Sequence, residues 1–339
     1  MKDTETIPEE LFMQNVLSYF ENEDIAASAF LSKYSNQKVE HPDEMWTRIV
    51  DKFYSKGLEN GGNYLSREQL VEYITGFKNL IPQGSILSSL GLPEKYSSLS
   101  NCTVLPSVSD SYGSISLTDS KMISLYKRRC GVGVDLSDLR PSGAPVKNSS
   151  TSSTGAVSFM HRFSNTTLEV AQNGRRGALM LSININHPDS LDFITIKQDL
   201  TKVTGANISV QIIDPFMKSA LADETYLLRF PVDLSDEYLE EQEKFLGEFP
   251  LGQLVTLDKG KFVRKIKAKE YWDTLSQCAH KTAEPGLMFK TRHDDYCPSN
   301  IYPQFKNVTS NPCSEIYMGG HDSCRLMATN FFSFVRKPF

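Results

Sequence analysis

Hydrophobic and polar positions divide the 339-residue chain into a helical first part and a longer part with mixed patterning. Over residues 7–80, apolar side chains recur at helical spacing, and Ser66 is placed as an N-cap ahead of one such segment. From about residue 81, short β-prone runs alternate with helical segments, which is typical of α/β proteins. We therefore predict a helical domain over residues 1–80 and an α/β domain over residues 81–339.

In the second part the pattern predicts alternating strands and helices. The predicted strands cover residues 102–108, 132–136, 178–185, 207–213 and 286–289. The predicted helices cover residues 118–129, 156–171, 190–197, a segment after Asp214, and 271–281. Residues 81–85 are predicted to form a loop. Charged side chains are dense over residues 233–270, which predicts a solvated excursion or a pair of surface helices.

Composition narrows the class of protein. Hydrophobic residues make up 40% and charged residues 23% of the chain, and no run of 18 apolar residues occurs, which indicates a soluble enzyme without a membrane span. A net charge of −5 disfavours binding to a nucleic-acid polymer. The six cysteines lack the short, regular spacings of a secreted disulfide framework. We expect a cytoplasmic protein in which any disulfide is transient and catalytic.

A short stretch near the end of the chain, Asn311-Pro312-Cys313-Ser314-Glu315, combines an amide, a thiol and a carboxyl group. In an extended segment alternate side chains point to the same side, so Asn311, Cys313 and Glu315 are predicted to face one small volume. Pro312 fixes one φ angle and suits a pinned turn at the tip of a strand. The stretch is a candidate reaction centre, although a cysteine is often a small buried hydrophobe and Asn-Pro often only a turn.

This stretch resembles the radical-cysteine loop of the large, catalytic subunit of ribonucleotide reductases. Three further motifs resemble that family and occur in its order: Asn101-Cys102-Thr103-Val104 resembles the upstream redox cysteine, Gln172-Asn173-Gly174-Arg175-Arg176-Gly177 the second specificity loop, and Asp322-Ser323-Cys324-Arg325-Leu326 the partner cysteine. The resemblance covers roughly residues 80–339 and is weak before them.

The resemblance implies about half of a ten-stranded α/β barrel behind an N-terminal helical domain, and the reduction of ribonucleotides to 2′-deoxyribonucleotides. Cys313 would carry a thiyl radical that takes a hydrogen atom from C3′ of the substrate. Glu315 would act as general base on the 3′-hydroxyl, and Asn311 would hydrogen-bond the substrate oxygens. Cys102 and Cys324 would supply two electrons by closing to a disulfide, which requires their Cα atoms to lie about 4.4–6.8 Å apart.

The resemblance also implies binding residues. Substrate contacts are expected at Ser85, Asn101, Gly131 and Arg176. Contacts to a deoxynucleoside triphosphate or ATP effector are expected at Asp110, Ser111, Arg140, Gln172 and Arg175. Guanidinium groups suit this role because they bind phosphate in a bidentate manner. Taken by itself, Asp110 is better explained as a cap of the turn that follows it.

Cofactor and partners follow from the same resemblance. The short spacing between Cys313 and Cys324 is more like the adenosylcobalamin-dependent class than the class that takes its radical from a diiron or dimanganese partner subunit. A thioredoxin or glutaredoxin would re-reduce the disulfide, and a homodimer is the expected assembly. Family members continue well past residue 339, so we expect an N-terminal part that is inactive alone. A split gene with a separate chain for the C-terminal part, a truncated reading frame and an incomplete sequence are all open explanations.

Two other functions compete with the reductase hypothesis. The chain could be a nucleotide-binding and assembly module that performs no chemistry without a further part. It could also be a zinc-stabilised structural protein with ligands among His293, Cys297, Cys313, His321 and Cys324. Zinc leaves Cys102, Asn311 and Glu315 unexplained, so we expect no metal ligands. A large distance between Cys102 and Cys324, or a Glu315 side chain turned into solvent, would count against the reductase hypothesis.

Overall fold

The computed structural model describes residues 8–62, 64–170 and 177–336. These residues form two compact units: one holds the described residues up to Asn101 together with those from Arg325 onward, and the other spans Cys102–Cys324. This division by packing does not test the predicted domains, 1–80 and 81–339, which stay a prediction.

Helices make up the first part of the described chain, and from residue 80 onward strands and helices are interspersed. The α-helices are α1 Glu9–Tyr19, α2 Asp24–Lys33, α3 Pro42–Glu59, α4 Arg67–Ile74, α5 Gly84–Ser89, α6 Tyr112–Tyr126, α7 Ala156–Glu169, α8 Ser190–Thr195, α9 Asp214–Leu221, α10 Asp236–Leu246, α11 Ala268–Thr282 and α12 Lys290–Tyr296. The strands are β1 Leu80–Pro82, β2 Cys102–Val104, β3 Gly131–Asp135, β4 Leu179–Asn184, β5 Asn207–Ile212, β6 Thr225–Phe230, β7 Leu254–Asp258, β8 Lys261–Lys267, β9 Gly286–Phe289, β10 Asn307–Ser310, β11 Tyr317–Gly319 and β12 Met327–Thr329. Short 3-10 helices cover Asn36–Lys38, Ile196–Gln198, Pro298–Ile301, Pro303–Phe305 and Phe331–Phe334. In the described part of the chain, no helix has the length and hydropathy needed to cross a membrane.

The first unit is helical over residues 8–74, as the sequence predicts. Ser66 caps α4: its hydroxyl accepts a hydrogen bond from the Gln69 backbone amide (3.2 Å), and the Ser66 backbone amide donates to Gln69 Oε1 (2.8 Å). Its core is formed by buried side chains of α1, α2 and α3, namely Val16, Ala27, Phe30, Met45, Trp46 and Ile49. The predicted loop at residues 81–85 is wrong, because Leu80–Pro82 pairs antiparallel with β12 and α5 begins at Gly84.

The second unit is built on a parallel five-stranded sheet in the order β2-β3-β4-β5-β9, which confirms the α/β prediction. Every residue of β3 and β4 is buried, and parallel strands covered on both faces require such continuous burial. Large side chains from the surrounding helices complete the core, among them Tyr126, Phe163, Phe193 and Phe216. The predicted strand 286–289 is confirmed at Gly286–Phe289, whereas the strand predicted over 102–108 ends at Val104.

The charged stretch over residues 233–270 differs from its prediction. It begins with α10, but β7 and β8 then form an antiparallel hairpin that pairs with β6 in the order β6-β8-β7. Phe262, Val263 and Ile266 are buried in β8, while its lysines are partly or fully exposed. The high density of charge on the outer face concealed this strand pattern, so the predicted pair of surface helices is wrong.

A second hairpin, formed by β10 and β11, lies against β3 at two glycines. A Cβ atom on Gly133 would stand 2.0 Å from the Ser310 carbonyl oxygen, and one on Gly131 would stand 2.9 Å from Cγ of Pro312. Both distances are shorter than real Cβ contacts allow. The sheet therefore accepts this hairpin only because two positions of β3 carry no side chain.

We predict that Gly133→Ala lowers the free energy of unfolding by about 1–3 kcal/mol, because the added methyl group forces Ser310 away from β3. Gly113→Ala is the matched control: only Ser111 Oγ, at 3.9 Å, lies near the added carbon, and alanine favours helix α6 by about 0.5–1 kcal/mol. Urea denaturation of both variants measures the difference, and equal midpoints would contradict the close packing.

Candidate active site

The candidate active site begins with a short backbone pairing between β2 and residues 321–324. Thr103 and Ser323 form an antiparallel bridge. Its hydrogen bonds run from Cys324 N to Cys102 O (3.0 Å), from Val104 N to Asp322 O (3.0 Å) and from His321 N to Val104 O (2.8 Å). The pairing fixes which residue of one segment lies opposite which residue of the other.

Cys102 and Cys324 lie opposite each other in this pairing. Directly opposed residues in antiparallel strands have Cα atoms about 4.5–5.5 Å apart, which is within the range that a disulfide accepts. Both residues are buried free thiols, and the Cys324 thiol also points at the Cys102 carbonyl oxygen (3.7 Å). The dithiol role requires this proximity, while the role itself stays a prediction.

A third sulfur atom, that of Cys313, also affects the pKa of Cys102. Burial raises the pKa of the Cys102 thiol well above its ordinary value, and the neighbouring Cys324 and Cys313 raise this pKa further. Cys102 is therefore a protonated thiol at neutral pH. Cys313 itself is exposed, unlike the other two, so the cluster combines one accessible thiol with a buried pair.

The turn that carries Cys313 is not extended, and the predicted alternation of Asn311, Cys313 and Glu315 is wrong. Asn311 is fully buried, whereas the side chains from Cys313 to Ile316 are exposed. Ser314 has φ 68°, its amide donates to Asn311 O (3.0 Å), and the Ile316 amide donates to Asn311 Oδ1 (3.2 Å). Asn311 thus closes a tight turn, and within the described part of the chain its buried Nδ2 atom has no hydrogen-bond partner.

Glu315 was expected to face the same small volume as Asn311 and Cys313, and its side chain is exposed whereas Asn311 is buried. The tight turn leaves the side chains from Cys313 to Ile316 exposed. The Glu315 carboxyl group therefore lies at the surface, two residues after Cys313 in the sequence. The solvent-facing orientation that was to count against the reductase hypothesis is therefore observed.

The four residues expected to contact substrate do not all belong to one unit. In the first unit, Asn101 Oδ1 accepts hydrogen bonds from the Ser85 amide (3.0 Å) and the Ser85 hydroxyl (2.6 Å). In the second unit, Gly131 lies directly beneath Pro312 of the cysteine turn. Arg176 lies outside the described residues.

Three of the five expected effector residues, Asp110, Ser111 and Arg140, line a cavity of about 220 Å³ in the second unit. Arg140 donates to Asp110 through Nε (2.7 Å) and through its backbone amide (3.2 Å). Ser111 caps α6, because its hydroxyl accepts a hydrogen bond from the Ser114 amide (3.1 Å). The explanation of Asp110 as the cap is therefore wrong. Gln172 and Arg175 lie outside the described residues.

A buried polar cluster that sequence reasoning missed lies at the ends of β3, β4 and β5. Asp135 Oδ1 accepts hydrogen bonds from Ser137 Oγ (2.9 Å), Ser182 Oγ (2.8 Å) and Gln211 Nε2 (2.7 Å). Complete burial raises the pKa of the Asp135 carboxyl to about 7 against the pull of its hydrogen bonds. Polar residues inside three otherwise apolar strands were the signal available in the sequence.

The zinc alternative gains no support from the geometry. Among the described residues, no group of three or more histidine, cysteine, aspartate or glutamate side chains could hold a metal ion. The ring of His293 stacks on that of Tyr317, with centroids 4.8 Å apart.

Comparison with known proteins decides the family. The family model for the ribonucleotide reductase barrel domain matches residues 100–338. The chain belongs to the ribonucleotide reductase family. This confirms the suspected resemblance, and the parallel five-stranded sheet is consistent with part of the reductase barrel. Glu315 is exposed although the chain is a member of the family, so exposure of Glu315 was a wrong criterion for rejecting the reductase hypothesis.

Individual relatives agree with this assignment. A vitamin B12-dependent ribonucleoside-diphosphate reductase of Thermoplasma acidophilum is 32% identical, over 85% of this chain and 33% of the relative. One of the same name from Mycobacterium tuberculosis is 28% identical, over 78% and 34%. A ribonucleoside-diphosphate reductase subunit alpha of Chlamydia trachomatis is 26% identical, over 90% and 29%. The chain therefore spans about a third of the length of these curated relatives.

We predict that mild oxidation with diamide joins Cys102 to Cys324, because the backbone pairing holds them at disulfide distance. A Cys297→Ser, Cys313→Ser background removes the two more accessible thiols and so prevents links between molecules. Peptide mapping without reductant identifies the bond, and Cys130 and Cys278 serve as internal buried controls. Recovery of Cys102 and Cys324 as free thiols under complete oxidant excess would contradict the pairing.

Proposed function

We propose that this chain carries the radical cysteine and the reducing dithiol of a ribonucleotide reductase. The observation that carries the proposal is the backbone pairing of Cys102 with Cys324, with the exposed Cys313 near enough to raise the pKa of Cys102. Membership of the family supports the reaction class.

The proposed reaction replaces the 2′-hydroxyl of a ribonucleotide by hydrogen. A thiyl radical on Cys313 takes a hydrogen atom from C3′ and returns it at the end. The 2′-hydroxyl leaves as water after it gains a proton, and Cys102, protonated at neutral pH, is suited to donate this proton. The two electrons come from the Cys102 and Cys324 thiols, which close to a disulfide.

Further residues take the roles that the family resemblance implies. Glu315 is the proposed general base on the 3′-hydroxyl, and its exposure leaves the carboxyl group accessible. Asn311 is the proposed hydrogen-bond donor to substrate, and its Nδ2 atom has no hydrogen-bond partner among the residues that the structure describes. The remaining proposed substrate contacts are Ser85, Asn101, Gly131 and Arg176.

Adenosylcobalamin is the radical source that we favour over a diiron or dimanganese partner subunit. Relatives named as vitamin B12-dependent support this choice, although a subunit alpha also matches. When bound, the cofactor would supply the radical that activates a thiol. The described residues fit that requirement at one atom, the sulfur of Cys313, which is exposed and can be reached from outside.

The cavity beside Asp110 is the proposed effector site, for a deoxynucleoside triphosphate or ATP. Arg140 and Lys147 line it and can neutralise phosphate oxygens, while Ser111 and the serines of residues 150–153 offer hydroxyl groups. Gln172 and Arg175 are proposed to relay effector identity to substrate choice. This cavity also favours the second candidate function, a nucleotide-binding module that is inactive without a further part.

The remaining assignments complete the proposal. A thioredoxin or glutaredoxin would reduce the Cys102–Cys324 disulfide after each turnover, and the active assembly would be a cytoplasmic homodimer. The chain spans about a third of the length of these relatives, so the activity is proposed for an assembly that also contains the remaining length.

We expect Cys313→Ala to abolish deoxyribonucleotide formation when this chain is assembled with a chain that supplies the rest of the relatives' length. Cys102→Ala or Cys324→Ala should prevent repeated turnover, because the dithiol can no longer be oxidised and reduced. Cys297→Ala is the matched control and should leave turnover unchanged. Product is quantified by chromatography, and sustained turnover in any of the first three variants would refute the assignment.

We expect Arg140→Ala to weaken deoxynucleoside triphosphate binding at least about tenfold, as a lost charge-assisted hydrogen bond predicts. Arg162→Ala is the matched control, since Arg162 also pairs with an aspartate, Asp119, but does not line the cavity. Isothermal titration measures both affinities. Equal affinities in the two variants would contradict the effector site at this cavity. They would not bear on the proposed radical chemistry of Cys313.

A further inference from the structure

The hairpin that carries Cys313 lies on a buried polar cluster rather than on an apolar core. Ser182 Oγ is 2.7 Å from Thr309 Oγ1 of β10, and Gln211 Nε2 donates to the Val308 carbonyl oxygen (3.3 Å). Ser182 and Gln211 both also donate to Asp135 Oδ1. Asp135 is thus linked to the hairpin through one side chain from β4 and one from β5.

The direction of these hydrogen bonds is set by the carboxyl group. The Ser182 hydroxyl has one hydrogen and donates it to Asp135, so the hydroxyl of Thr309 must donate to Ser182. The Thr309 and Ser182 hydroxyls therefore donate in series from the hairpin toward Asp135. Loss of the acceptor would leave Ser182 and Gln211 without the group that fixes their orientation.

The hairpin also forms part of the cover that keeps water from Asp135. Tyr317 of β11 is buried, and its hydroxyl has no hydrogen-bond partner in residues 8–62, 64–170 and 177–336. Burial together with the charges of Asp135 and Asp294 raises the pKa of Tyr317 well above the ordinary value. Tyr317 and Thr309 thus approach the carboxyl group from the two strands of the hairpin.

We propose that Asp135 is a positioning residue for the Cys313 turn, holding the β10–β11 hairpin on the sheet most firmly when its carboxyl group is protonated on Oδ2, so that Oδ1 still accepts from Ser182 and Gln211. The inference deepens the proposed function and rests on it only for the importance of Cys313. The observations that carry it are the burial of Asp135 and its links, through Ser182 and Gln211, to Thr309 and Val308 of β10.

The direction of the pH effect follows from linkage. The seated carboxyl has a pKa of about 7, whereas the pKa of a hydrated carboxyl returns toward its ordinary value of 3.8. The seated hairpin therefore binds more protons than a loosened one, so rising pH favours loosening between these values and has no further effect above about 7.

Other ionisable groups face the same region, and their effects on the pH dependence must be distinguished from that of Asp135. Asp138 lies on the same loop and raises the pKa of Asp135, and Lys290 at the start of α12 lowers it. Lys290 also pairs with Asp294 (2.8 Å). Tyr317 stays neutral throughout this range, and His293 stacks on its ring.

A nitroxide attached to Cys313 reports the mobility of the turn directly. In a Cys297→Ser background the other four cysteines are buried, so the label goes to Cys313. Electron paramagnetic resonance spectra are recorded from about pH 5 to about pH 8, on the chain without substrate or cofactor. We expect the mobile fraction to grow as pH rises and to level off above about 7.

The variants identify the group responsible. Asp135→Asn keeps an acceptor of the same shape without a charge. Its spectra should therefore show an immobile label at every pH. Asp138→Asn and His293→Gln should retain the pH dependence. Thr309→Val should raise mobility already at low pH, because the hairpin loses its hydroxyl link, and Thr309→Ser should restore the original spectra.

Two outcomes would overturn the proposal: spectra of the parent protein that do not change with pH, or a pH dependence that survives in Asp135→Asn. An immobile turn in Thr309→Val would also contradict it. Because the measurement involves no turnover, its failure would leave the reductase proposal standing. Absence of catalysis would likewise leave the role of Asp135 in positioning the turn intact.

Discussion

The antiparallel pairing of Cys102–Val104 with residues 322–324 is the constraint on which the candidate site depends. Side chains alternate along a strand, so a register shift of one residue would place the two sulfur atoms on opposite faces. The same short strand pairs in parallel with β3, where Cys102 lies beside Gly131. Since Gly131 leaves room for Pro312, β2 and its neighbour fix the buried cysteine pair and the base of the Cys313 turn together.

The hairpin that carries Cys313 is held by close backbone approach and by polar contacts. Gly133 admits the Ser310 carbonyl oxygen, and the Asp135 cluster bonds to Thr309 and Val308. Apolar packing resists displacement over a broad range of conditions, whereas a buried carboxyl group makes the same contact depend on its protonation. The accessible thiol thus stands on a support whose strength depends on the charge of a single side chain.

The sequence predicted the parts of the fold that local patterns determine. The strands β4, β5 and β9 were located within a residue or so. Burial on both faces leaves a continuous apolar signal in β4, whereas Leu287 and Phe289 of β9 are exposed. The β7–β8 hairpin was missed because its exposed lysines outweighed the alternation of Phe262 and Ile266. The Asp135 cluster was missed because its members are distant in sequence and meet only when the parallel strands assemble.

The order of the cysteine motifs identified the family, but the geometry of the turn was beyond the sequence pattern. The Asn-Pro-Cys-Ser-Glu stretch does not by itself exclude an extended path, and the left-handed Ser314 that closes the turn has no clear signal. The expectation that Glu315 faces the same small volume as Asn311 failed for the same reason.

A single-turnover experiment on the complete assembly, with no external reductant, tests the paired dithiol most directly. We predict at most one deoxyribonucleotide per active site, with loss of two free thiols that peptide mapping assigns to Cys102 and Cys324. Product formed while both thiols remain free, or a disulfide that involves neither, would contradict the pairing of these two cysteines as the source of electrons.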